Sequence, residues 1–211
     1  MKKDLRSVFW GLCFIIFTIL VKIIDLEPAG AEGSLIGFAS LNTWVFQLLG
    51  TNHFCYLLTQ FFGILALLAA AVLAILGLIQ LIQRKNLLKV DHEILMAGIV
   101  YALLILLYVL FEKLAINYRP VVLDLELEAS YPSTHTMLIL TIFGTVITLA
   151  GKYIKSTKAA LVLKLICILI IWLTLIFRLL SGVHWFTDII GGLLISLCLI
   201  SLFKALCRQK S

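Results

Sequence analysis

The sequence predicts an all-α membrane protein, a bundle of six transmembrane helices with both termini in the cytoplasm and one domain over residues 1–211. Three observations carry this. Of the 211 residues, 63% are hydrophobic and 13% charged, and mean hydropathy is +1.14; a soluble domain carries about 25% charged residues. Six stretches are apolar for long enough to cross a bilayer, which takes roughly 20 residues. Basic residues crowd every second hydrophilic break.

Taken in order, the expected spans run approximately Ser7–Leu26, Cys55–Ile82, Ile94–Phe111, Met137–Ile154, Ala160–Leu180 and Trp185–Leu206. Each must be helical, because a lone strand in lipid leaves its backbone polar groups unpaired. The first follows Lys2, Lys3 and Arg6 and precedes Ala29-Gly30-Ala31, which imitates a signal peptide with its cleavage site. Its length, with Lys22 and Asp25 intervening before the site, favours a retained anchor. The long break after it holds Leu35-Ile36-Gly37-Phe38 and Trp44-Val45-Phe46, too short to span and suited to an amphipathic helix lying at the interface. No internal repeat or low-complexity linker occurs.

Orientation follows from the breaks. Thirteen of the seventeen basic residues fall on one side: Lys2, Lys3 and Arg6; Arg84, Lys85 and Lys89; Lys152, Lys155, Lys158 and Lys164; Lys204, Arg208 and Lys210. The positive-inside rule places that side in the cytoplasm. The net charge of +6 therefore reads as topology rather than as a nucleic-acid surface, since the basic residues do not interleave with exposed aromatics. The five cysteines, Cys13, Cys55, Cys167, Cys198 and Cys207, form no CxxC and lie in or beside apolar runs, as small packing residues do.

Three polar clusters then fall on the outer face. Pro132-Ser133-Thr134-His135 opens the fourth span and reads as an N-cap. The same geometry aims free N–H groups and a partial positive charge at an anion. Ser133 adds a hydroxyl, and His135 can donate a proton to a departing oxygen. At the end of the fifth span stands Arg178; Ser181-Gly182 then predicts a tight turn that folds it towards His184. Asp188 follows four residues later, so the two share a helix face and the carboxylate can orient the ring. A snorkelling arginine beside a surface His–Asp pair is the plainer alternative. Against it, Asp188 lies about one turn inside an apolar segment, where an ionised carboxylate is costly and usually functional. The third cluster is Arg119-Pro120, with Lys113 six residues before the arginine.

Other polar residues carry less. Asp124, Glu126 and Glu128 alternate with leucines; they can touch a divalent ion, but a solvated loop edge accounts for them better. His53 and His92 have no motif around them. No Walker-type glycine loop and no HExxH is present, and neither a metal nor a cofactor is expected.

Together the clusters resemble the type-2 phosphatidic-acid phosphatase superfamily, whose pattern is a Lys and Arg-Pro, then Pro-Ser-Gly-His, then Ser-Arg, five residues, His, three residues, Asp. Arg119-Pro120, Pro132-Ser133-Thr134-His135, and Arg178 with His184 and Asp188 follow it in order and spacing. Thr134 stands where the family has Gly, Phe177 where it has Ser, and Glu112 where it has Lys, with Lys113 one residue off register. The resemblance implies a metal-free phosphatase with a covalent phosphohistidine intermediate. His184 would be the nucleophile, Asp188 its orienting partner and His135 the general acid, with Arg119, Arg178, Ser133, the Thr134 N–H and Lys113 holding the phosphoryl oxygens.

The expected activity is hydrolysis of a lipid phosphate or diphosphate at the outer membrane face. Undecaprenyl diphosphate is the first substrate, with phosphatidylglycerol phosphate and phosphatidic acid within the same chemistry. A transporter of phosphorylated lipids, without catalysis, is the competing class, although the spans lack its paired broken helices. A non-catalytic family member that scaffolds others is a third.

Overall fold

The computed structural model describes residues 5–122 and 127–208. Lys2, Lys3 and Lys210, which enter the orientation argument, and Asp124 and Glu126 of the acidic loop lie outside the described residues. Seven α-helices occur among the described residues: α1 (Arg6–Ile23), α2 (Ala39–Leu49), α3 (His53–Arg84), α4 (His92–Leu114), α5 (Thr134–Tyr153), α6 (Thr157–Leu180) and α7 (Phe186–Arg208). All but α2 are long and apolar enough to cross a membrane. Beyond two isolated bridges, Glu27 with Ile36 and Tyr118 with Ala129, the described residues form no β-structure.

Burial is inverted relative to a soluble bundle. Phe9, Leu12 and Ile16 on α1, Phe61, Leu67 and Leu68 on α3, and Leu165 and Trp172 on α6 are all more than half exposed. A contiguous apolar surface of that extent is untenable in water and natural against lipid. Polar groups turn inward instead: Thr59, Thr141, Thr145, Thr174, Arg178, Asp188 and Ser196 are fully buried. The chain is a multi-pass membrane protein.

Helix α5 is the centre, packing against α3, α4, α6 and α7, and α7 packs also on α1. It starts three residues before the expected Met137 because Ser133 caps it, its side chain accepting from the Thr136 N–H. α1 stops at Ile23 instead of continuing to Leu26. Asp25 adopts a left-handed backbone (φ 50°), and its carboxylate accepts the Ser40 N–H at 2.7 Å, tying the end of α1 to the start of α2. Only part of the expected interfacial segment is helical. Leu35 and Ile36 precede α2, with Ile36 bridged to Glu27, whereas Trp44 and Phe46 lie on it. α2 exposes Trp44 and Leu48 and buries Asn42, whose amide donates to Gly37 O at 2.8 Å and to Thr187 Oγ1 at 2.9 Å. Thr187 N–H returns a bond to Asn42 Oδ1 at 3.2 Å, so α2 is fixed to the first turn of α7.

Candidate active site

One end of the bundle gathers the N-termini of α3, α5 and α7 and the C-terminus of α6. The approach of α5 to α7 depends on Gly191 and Gly192. A Cβ at Gly192 would stand 3.0 Å from Ser133 O and 2.9 Å from Thr136 Cβ, and one at Gly191 2.5 Å from the Tyr131 ring. With both places empty, the Ser133 N–H reaches Asp188 O at 3.0 Å. The Pro-Ser-Thr-His segment is thereby held against the His–Asp segment.

Arg178, in the last turn of α6, is completely buried. Its Nη1 donates to Thr59 Oγ1 at 3.2 Å, its Nη2 lies 3.0 Å from His184 Nε2, and the guanidinium sits 5.7 Å from the Tyr56 ring centroid. The turn that brings it to His184 is the expected one. Ser181 Oγ donates to Arg178 O at 2.7 Å, and Gly182 supplies φ 69°.

His184 is buried and lies just ahead of α7, rather than on it as the sequence suggested. Its Nδ1 faces Asp188 Oδ2 at 3.5 Å, a charge contact longer than a hydrogen bond. That oxygen instead accepts the Trp185 N–H at 2.9 Å, which is why the helix begins after His184. A guanidinium only donates, so Nε2 beside Arg178 is the acceptor and the ring proton belongs on Nδ1, towards Asp188. Burial, reinforced by the charges of Arg178, Arg119 and His135, holds His184 well below the usual histidine range. It is therefore a neutral imidazole with its Nε2 lone pair directed at a buried cation.

Arg119 comes from the loop between α4 and α5. Its N–H donates to Glu128 O at 3.1 Å, and its Nε pairs with Glu128 Oε2 at 2.7 Å. Arg119 and Glu128 line two cavities. The larger, about 610 Å³, runs from Gln60, Thr134 and His135 down an apolar wall of Ile64, Leu67, Leu104 and Ile105. A second, about 490 Å³, is lined by Thr51, His53, Tyr56, Ser181 and Val183. His53, which the sequence left without a role, thus stands at the site's edge. His92 is at the opposite end, its Nε2 3.0 Å from Leu206 O.

The predicted residues therefore gather, with one difference. Ser133, Arg178, His184 and Asp188 are buried together, and Thr134, His135 and Arg119 line the larger cavity. Lys113 is exposed and absent from both linings, whereas Glu112 faces the larger cavity. One residue along a helix is a rotation of about 100°, so the off-register lysine points elsewhere. Tyr56, Thr59 and Gln60 went unread, although polar residues spaced i, i+3, i+4 in an apolar helix mark a shared inward face.

The side chains of Ser130 and Asn117 stand against Asp188 and the Ser130 backbone against His184, while Arg178 Nε has no hydrogen-bond partner among the described residues. Native interiors rarely leave such a group unpaired. Among the described residues no group of three His, Cys, Asp or Glu side chains is placed to hold a metal ion.

The chain is similar to known proteins. Residues 36–210 match the PAP2 superfamily. Among solved structures, the first transmembrane PAP2 type phosphatidylglycerolphosphate phosphatase from Bacillus subtilis superposes with a TM-score of 0.71, at 20% identity and covering 98% of each chain. Aquifex aeolicus LpxE aligns at 26% identity over 79% of this chain and 96% of its own, with a TM-score of 0.43. No curated protein sequence matches significantly.

Proposed function

From a chain that belongs to the PAP2 superfamily, we propose a membrane lipid phosphatase that cleaves a lipid phosphate or diphosphate through a phosphohistidine. The single observation that carries the reading is His184, neutral and buried, with Nε2 at 3.0 Å from Arg178 Nη2 and Nδ1 turned to Asp188. A phosphoryl group entering beside Arg178 meets that lone pair.

In the first step Nε2 of His184 attacks phosphorus, an N–P bond forms, and the bond from phosphorus to the lipid oxygen breaks. His135 gives that oxygen its proton, and the lipid leaves as an alcohol or a monophosphate. In the second step water attacks the phosphohistidine, His135 takes the water proton, and inorganic phosphate departs with His184 restored. Asp188 stabilises the Nδ1–H throughout. Phosphoryl transfer asks mainly for in-line placement and donors to the equatorial oxygens. Arg178, Arg119, Ser133 and the first turn of α5 supply those donors, and no step calls for a metal. The apolar wall of the larger cavity suits an acyl or prenyl chain running from the site into the bilayer.

The basic-residue distribution favours this end lying outside the cytoplasm, where undecaprenyl diphosphate would be met once wall polymers have been transferred from it. That lipid is the first substrate to test, and phosphatidylglycerol phosphate and phosphatidic acid the next. Purified protein in detergent with EDTA is given each lipid, and released phosphate is measured. Release that survives chelation is the expected result. Tight binding without release from any of the three would replace the phosphatase with a carrier of phosphorylated lipids.

A further inference from the structure

An amide inside an apolar transmembrane helix must find partners. Gln60 of α3 finds two. Its Nε2 donates to the hydroxyl of Tyr56 at 2.8 Å, which leaves Oε1 turned to His135. Its Oε1 then meets His135 Nε2 in a hydrogen bond. Gly63, on the same face, leaves room for the ring: a Cβ there would touch His135 Cδ2 at 3.4 Å. With the amide placed this way its carbonyl only accepts, which puts the proton of His135 on Nε2. Asp188 faces the nucleophilic ring with a carboxylate; Gln60 faces the other ring with a neutral dipole. The difference suits the roles, because a negative charge beside an acid makes it hold its proton more tightly.

We propose that Gln60 is the positioning residue for His135, fixing the proton on Nε2 so that Nδ1 is the nitrogen that exchanges protons with the substrate. The inference rests on the phosphohistidine reading above. As the lipid oxygen leaves phosphorus, the Nδ1–H of the imidazolium passes to it, and the ring returns to the neutral form with Nε2–H held by Gln60. In the second step Nδ1 takes a proton from the attacking water.

Gln60→Met keeps the length of the side chain and removes the acceptor. Its kcat on an alkyl lipid phosphate falls about 10- to 100-fold, the scale for losing a group that orients a catalytic histidine, with KM nearly unchanged. On p-nitrophenyl phosphate, whose leaving group departs with little protonation, kcat/KM, which reports only the first step, falls by under about threefold, against about 10- to 100-fold for kcat/KM on the alkyl substrate. Equal losses on both substrates, or none on either, would overturn the proposal. ¹⁵N-histidine NMR, with His135 assigned by a His135→Asn variant and followed with rising pH until its ring is neutral, reads the tautomer directly. The expected result is Nε2–H in the parent chain and mixed tautomers in Gln60→Met; Nδ1–H in the parent overturns the proposal whatever the kinetics. Nε2–H in a chain that hydrolyses no lipid phosphate contradicts the proposed function and leaves the Gln60 assignment standing.

Discussion

The two ends of the bundle both carry polar clusters, and they are built on opposite terms. At one end Asp91, just ahead of α4, takes the guanidinium of Arg84 at 2.9 Å, the amide of Gln80 at 2.9 Å and the hydroxyl of Tyr153 at 3.0 Å, with Lys152 and Glu93 paired alongside. Burial works against the Asp91 carboxylate, but the bonds from Arg84, Gln80 and Tyr153 outweigh it and hold its pKa at about 2. This cluster is satisfied and partly solvated. At the other end Arg178, His184 and Asp188 are buried, and Arg178 Nε has no partner among the described residues. Completed pairing fastens helices together, whereas buried groups left short of partners store interaction free energy for something that arrives later.

Substitutions at the two ends should therefore fail differently. The largest effect is expected from His184→Ala, which loses at least about 1,000-fold in phosphate release, the range for removing a nucleophile, while the protein remains folded by thermal melting. Arg178→Lys comes next, at about 100-fold, since a point charge cannot serve Thr59 and His184 as a planar fork does. At the opposite end Asp91→Asn should leave kcat within about twofold and lower stability by about 1–2 kcal/mol through weakened charge-assisted bonds. The sign of its pH dependence follows from a carboxyl depressed from 3.8 to about 2. Its contribution is complete above the unfolded value and lost as pH falls through about 2, so melting curves of parent and variant should converge in acid. A deep loss of turnover in Asp91→Asn would erase the division between the ends. The smallest effect is expected for Lys113→Ala, under about twofold, as for an exposed charge; a loss matching Arg119→Ala would bring Lys113 into the site.

Much of this was legible in the sequence, for identifiable reasons. Spans announce themselves because lipid demands unbroken apolar runs, and Arg178, His184 and Asp188 are readable because they lie within eleven residues, joined by one turn and the start of α7. The rest depends on partners far along the chain. Gln60 meets His135 across 75 residues and Arg178 meets Thr59 across 119, and no local pattern encodes either contact. The register of Lys113 was ambiguous in a string and is settled by the rotation of α4, which turns Glu112 to the cavity. Helix α2 escaped as a bounded element because its buried face is only Ala39 and Asn42 rather than an apolar stripe.

The most direct measurement is an acid-sensitive label. The protein is mixed with a lipid carrying ³²P in its terminal phosphate, quenched within milliseconds in alkali and digested. Radioactivity is expected on the peptide containing His184, stable in base and labile in acid, and absent from His184→Ala. Hydrolysis that proceeds at full rate with no label on that peptide would contradict the phosphohistidine.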